Sequence, residues 1–68
     1  MPNVNDLENI APRLMNEQSA RAYLGGVSRS MIYKLRAQGF IHPVHLGTAV
    51  RYSVADLDKA IIRFQAHE

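Results

Sequence analysis

The chain predicts a small, mainly helical α+β domain. Two short helical segments lie on either side of Gly25-Gly26, the stretch from Ile41 to Tyr52 switches to a two-residue period, and a capped amphipathic stripe follows Ser53. Sixty-eight residues suffice for one domain. A chain of that size buries only roughly 60% of the surface its unfolded form exposes, so its core is thin.

Residues 1–13 are expected to form a flexible N-terminal arm, because they carry prolines and asparagines with little periodicity; against the alternative of a minor-groove arm stands the lack of any basic residue before Arg13. Asn16 suits a helix N-cap, where its side chain accepts from a free backbone amide of the next turn. Glu17 then sits favourably against the helix dipole. The first helix runs from Glu17 to Leu24, with Ala20 and Leu24 on one face, and Gly25-Gly26 ends it.

Val27 plugs the turn into the core, Ser28 caps a second helix, and that helix continues to about Gln38 before Gly39 stops it. Met31, Ile32 and Leu35 form its apolar edge. Arg29, Ser30, Tyr33, Lys34 and Arg36 occupy the remaining arc, most densely in the first two turns. Two helices joined by a short glycine-containing turn make a helix-turn-helix.

Val44 and Leu46 alternate with His45, and Val50 and Tyr52 alternate with Arg51. With Gly47-Thr48 between them, these segments read as a two-stranded hairpin, and Pro43 falls at a strand start where its missing amide does no harm. Ser53-Val54-Ala55-Asp56 is a capping signature with Asp in place of Glu, and Leu57, Ile61 and Phe64 follow at helical spacing. Helix, helix, hairpin and helix in that order describe a winged helix-turn-helix over residues 14–66.

Charge adds a functional expectation. The net charge is only +2, yet no acid lies between Glu17 and Asp56, a window holding Arg21, Arg29, Lys34, Arg36 and Arg51. A basic middle between acidic ends is the footprint of a small nucleic-acid binder. The absence of cysteine excludes disulfides and thiolate metal sites. His42 and His45 are three apart, which on a strand places them on opposite faces and argues against a shared metal ion; His67 stands apart near the end. The few acids form no nucleophile–base arrangement, and no phosphate-cradling glycine loop is present. The expectation is therefore of no enzyme, no cofactor, no metal and no small-molecule ligand. No apolar run approaches the ~20 residues of a membrane span.

Residues 14 to 64 resemble the excisionase and AlpA-type winged helix-turn-helix domains, which are related to the DNA-binding domain of MerR regulators. The resemblance rests on Leu14 and the capped helix with Ala20, then on the run from Leu24 to Ser30, Leu-Gly-Gly-Val-Ser-Arg-Ser. It continues through Tyr33-Lys34-Leu35, Gln38-Gly39-Phe40-Ile41, Pro43-Val44, Leu46-Gly47, Val50-Arg51-Tyr52 and Ser53-Val54-Ala55-Asp56-Leu57. It implies sequence-specific binding to double-stranded DNA without catalysis, with Ser28, Arg29, Ser30, Tyr33 and Lys34 as groove and phosphate contacts and Arg51 as the wing contact. Family wings commonly carry basic residues after the turn glycine. Thr48 and Ala49 stand there in this chain, which leaves Arg51, His45 and Thr48 as the wing's contact set.

The residue types fit these roles. Arg29 can bond guanine bidentately, a contact that discriminates between bases by roughly 5- to 150-fold. Ser28 caps its helix and can touch phosphate, while Ser30 can reach a phosphate or a base edge. Tyr33 can pack its ring and direct its hydroxyl to phosphate. Arg36, further along, belongs at the phosphate rim, and Arg21 on the first helix faces the backbone or nothing. Ile62 lies off the core stripe and, with Phe64, is a candidate contact for a second protomer or a recombinase.

The resulting expectation is a phage or mobile-element excisionase that binds and bends attachment-site DNA to assist an integrase, with self-association along DNA. The alternatives are a small AlpA-like transcriptional regulator and a protein-interaction module of a recombination or packaging complex. The expected location is the bacterial cytoplasm, at the nucleoid.

Overall fold

A computed structural model describes residues 13–66. The arm expected over residues 1–13, apart from Arg13, and His67 lie outside the described residues. In chain order the elements are β1 (Leu14–Met15), α1 (Glu17–Tyr23), α2 (Arg29–Ala37), β2 (Val44–Leu46), β3 (Ala49–Ser53) and α3 (Val54–Gln65). The described residues thus form a mainly helical α+β domain, with three helices on a small antiparallel sheet.

Local chemistry sets the helix ends. The side chains of Asn16, Ser28 and Ser53 accept from the amides of Ser19, Met31 and Asp56, which caps all three helices. The C-termini of α1 and α2 close by the same pattern. Gly25 N–H donates to the Ala22 carbonyl and Gly26 N–H to that of Arg21; Gly39 N–H donates to Arg36 and Phe40 N–H to Leu35. These are Schellman motifs, which need a left-handed residue after the helix. Gly25 and Gly39 supply it at φ of 92° and 77°. Gly26 is also left-handed, at φ 86°, and the doubled glycine swings the chain from α1 into α2.

The expected two-stranded hairpin is part of a three-stranded sheet in the order β1-β3-β2. Leu14 and Met15 pair with Ser53 and Tyr52, an edge strand too short to show an alternating pattern. In β2 and β3, Val44 pairs with Arg51, His45 with Val50 and Leu46 with Ala49. Opposed residues share a face. Val44 and Leu46 therefore lie on the Arg51 face, and His45 lies with Val50 and Tyr52. The two expected wing contacts His45 and Arg51 thus lie on opposite faces of the hairpin.

Ala20, Ile32, Leu35, Ile41, Tyr52, Leu57 and Ala60 are the buried core. Full burial of a side chain such as Ile32 or Leu57 contributes about 1.5–3 kcal/mol. Met31, expected in the core, is 39% exposed; Ile32 and Leu35 alone make the inner edge of α2. On α3 the stripe is deepest at Leu57 and Ala60, while Phe64 stacks on Phe40 at 4.5 Å between ring centroids. The Arg63 guanidinium lies over the Phe40 ring, 4.5 Å from its centroid. The capping signature of α3 is half realised. Ser53 Oγ accepts from Asp56 N–H, but Asp56 turns its carboxylate sideways to accept from His42 N–H at 2.6 Å and to meet its ring Nδ1 at 3.2 Å. The Val54 amide, at the first position of α3, donates to the Arg13 carbonyl. One side chain thus joins the helix start to the chain leading into β2.

Candidate nucleic-acid interface

α2 divides cleanly into two arcs. Ile32 and Leu35 face the core, and Arg29, Ser30, Tyr33 and Lys34 are all exposed. Ser28 Oγ accepts from the Met31 amide at 3.1 Å, so its lone pairs serve the cap and its O–H is available to an external acceptor. Among the described residues, Lys34 has no carboxylate within ion-pair distance.

The arginines differ sharply from one another. Arg29 is 68% exposed in its side chain, yet its Nε lies 3.3 Å from Glu17 Oε1 at the start of α1. Its Nη2 approaches the Tyr33 hydroxyl at 3.5 Å. The Tyr33 hydrogen bond, and then the Glu17 charge, raise the Arg29 pKa above the usual arginine value, so the guanidinium is permanently charged. Arg36 is half-buried. Its guanidinium lies 5.0 Å from the Tyr33 ring, and its Nη1 donates to the Tyr52 hydroxyl at 3.3 Å. Arg36, expected at the phosphate rim, thus also bridges α2 and β3. Tyr33 stands between both cations, with the Arg29 guanidinium 5.7 Å from its ring. Arg21 is also committed internally: its Nε donates to the Val27 carbonyl at 2.9 Å, across the turn.

The hairpin tip is built from Gly47 and Thr48. Gly47 at φ 63° before a residue of negative φ has the pattern of a II′ turn, which matches strand twist. Thr48 and His45 are exposed. Arg51 is half-buried and folds back along its own strand, its Nη1 donating to the Val50 carbonyl at 2.8 Å.

The acids of α3 are engaged elsewhere. Asp56 holds His42, and Asp58 accepts from the Tyr23 hydroxyl at 2.6 Å. That hydrogen bond first, then burial and the charge of Asp58, push the Tyr23 pKa up. Of the described acids, only Glu17 touches the exposed arc of α2. Spacing does not reveal Glu17 as part of this site, because its partner lies across the turn on another helix.

An apolar groove of about 400 Å³ opens between α2 and α3, lined by Leu24, Val27, Met31, Leu35, Ala60, Ile61 and Phe64. Ile62, 61% exposed, is not among these lining residues. Among the described residues, no three His, Cys, Asp or Glu side chains cluster as metal ligands, and no helix is long and apolar enough to cross a membrane. Comparison with known proteins finds no matching family model, no matching curated protein and no matching solved structure.

Proposed function

We propose that this domain is a winged helix-turn-helix that binds double-stranded DNA sequence-specifically, with α2 in the major groove and the β2–β3 hairpin as its wing. The observation that carries the reading is the exposed arc of α2: Arg29, Ser30, Tyr33 and Lys34 project opposite Ile32 and Leu35, behind a Ser28 cap. An α-helix fits the major groove, and donors in its first turns meet base edges and flanking phosphates. Phosphate neutralisation by Lys34 and its neighbours supplies most of the affinity, and Arg29 sets the register. Tyr33 positions the guanidinium beside it. Thr48 and His45 approach the backbone from the wing, and Arg51 supplies the wing's cation from the face away from the core residue Tyr52. No step in this activity is catalytic.

One small domain reads only a few base pairs. Useful specificity then comes from repeated sites with self-association along DNA, or from an integrase already bound there. The role that joins these is an excisionase-like directionality factor in the bacterial cytoplasm, at the nucleoid. A second reading, a module docking on a protein of a recombination or packaging complex, draws on the apolar groove between α2 and α3.

Titrating the protein onto duplexes at several salt concentrations tests the first reading. With ~4–6 phosphate contacts, log affinity should fall with log salt at a slope of roughly −4 to −5. A flat dependence without measurable DNA affinity would overturn it in favour of the docking module. Footprinting on DNA flanking the gene then separates roles: an array at an attachment site supports excision, whereas protection confined to a promoter supports transcriptional control.

A further inference from the structure

We infer that Glu17 is a specificity-positioning residue: from α1 it holds Arg29 in the orientation that reads a guanine, restraining the site's affinity for DNA in general. The inference rests on the placement of α2 in the major groove. Glu17 opens α1 and Arg29 opens α2, so their contact at 3.3 Å bridges the two helices that Gly25-Gly26 connects. Only 29% of the Glu17 side chain is exposed, against 68% for Arg29. Glu17 Oε1 is itself enclosed and accepts no hydrogen bond, so the Arg29 charge is what compensates it.

The geometry selects one edge of the guanidinium. Glu17 lies at Nε, and the Tyr33 hydroxyl lies at Nη2. Glu17 faces Nε as a charge without a hydrogen bond, and Nη1 with the second hydrogen of Nη2 makes a planar pair of donors at the tip of the side chain. Guanine presents two acceptors, N7 and O6, to such a pair, whereas adenine presents an acceptor beside a donor. A pair with one partner this exposed does little for folding. A carboxylate beside a DNA-facing cation also repels phosphate. Both facts suit a group retained for aim.

Selection from a duplex library randomised over a central block, followed by binding to the preferred duplex and its single-base variants, tests the inference. Wild type should prefer guanine at one position by roughly 5- to 150-fold, and Arg29→Ala should abolish that preference. Glu17→Gln should reduce the preference to about threefold or less while binding scrambled duplexes at least as tightly as wild type. In the Arg29→Ala background, Glu17→Gln should change base preference no further. The preference is a ratio taken on one sample, so partial unfolding cancels. Unchanged guanine preference in Glu17→Gln, or persistence of that preference in Arg29→Ala, would overturn the assignment while leaving DNA binding intact. Failure of wild type to bind any duplex would instead remove the DNA reading beneath it. In the free protein, NMR provides a separate check on the contact: the Arg29 Nε–H resonance should shift in Glu17→Gln as the neighbouring charge is lost, and an unchanged resonance would refute the positioning.

Discussion

Lys34 and Arg29 occupy the same exposed arc but in different company. Lys34 is without an ion-pair partner among the described residues, while Arg29 is held by Glu17 and Tyr33. On the proposed DNA reading, the unpaired ammonium neutralises phosphate and the guanidinium reads bases. Lys34→Ala should therefore weaken every duplex about equally and make the salt slope shallower by about 1, whereas Arg29→Ala should lower specific affinity far more than scrambled affinity. Parallel titrations of both variants on specific and scrambled duplexes decide this, and equal losses everywhere would refute the division of roles. Tyr23 carries a pH prediction. Asp58 accepts its proton and opposes its ionisation, which raises its folded pKa above the unfolded value. The resulting stabilisation is complete below the unfolded pKa and is lost as pH rises through the raised folded one. Melting temperature should fall more steeply with alkaline pH in wild type than in Tyr23→Phe, which should already be less stable at neutral pH. Parallel pH profiles would show that the Tyr23–Asp58 bond contributes nothing. The sequence separates the core edge of α2 from its polar arc, but the employment of Arg21, Arg36 and Arg51 is invisible in it. A cation in a sequence has no partner until the fold brings a carbonyl or hydroxyl to it.

Among the elements, the turn between α1 and α2 is the most sharply specified. Gly25 and Gly26 both adopt left-handed backbone, and a Cβ at either would meet nothing within 4 Å. The cost of a side chain there is thus conformational. Gly26→Ala should destabilise the fold by about 1–2 kcal/mol. At roughly 4–8 °C per kcal/mol for a domain of this size, thermal unfolding by circular dichroism would register it easily. An unchanged Tm would mean the turn does not need its second glycine. Caps and Schellman closures are legible because their chemistry spans three to six adjacent residues, and Asn16, Ser28, Ser53 and Gly39 all act as the sequence indicates. β1 is not legible, since two residues carry no period and become a strand only when β3 lies beside them. The capping box of α3 is read only in part. Asp56 is spaced to fold back on its own helix start but accepts from the amide of His42 and meets its ring.

Among the described residues, very few side chains are buried. Leu57 is wholly buried and joins α3 to the core. Leu57→Ala should cost about 2–5 kcal/mol, a large part of the 5–15 kcal/mol that roughly bounds domain stability. A chain this small sits near the lower end of that range. Leu57→Ala should therefore populate unfolded chain at physiological temperature, visible as a broad, early melt. A melt within a few degrees of wild type would show that the core tolerates the cavity.

The sequence alone determined the number and order of the helices, their caps, the glycine turn and the hairpin tip, because each depends on residues adjacent along the chain. Only the tertiary structure decided that β1 completes the sheet, that His45 and Arg51 lie on opposite faces, and that Glu17 meets Arg29 while Tyr52 meets Arg36. Those pairings join residues from separate elements. They follow from how the elements pack around Ile32, Tyr52 and Leu57, and no local period or spacing encodes that geometry.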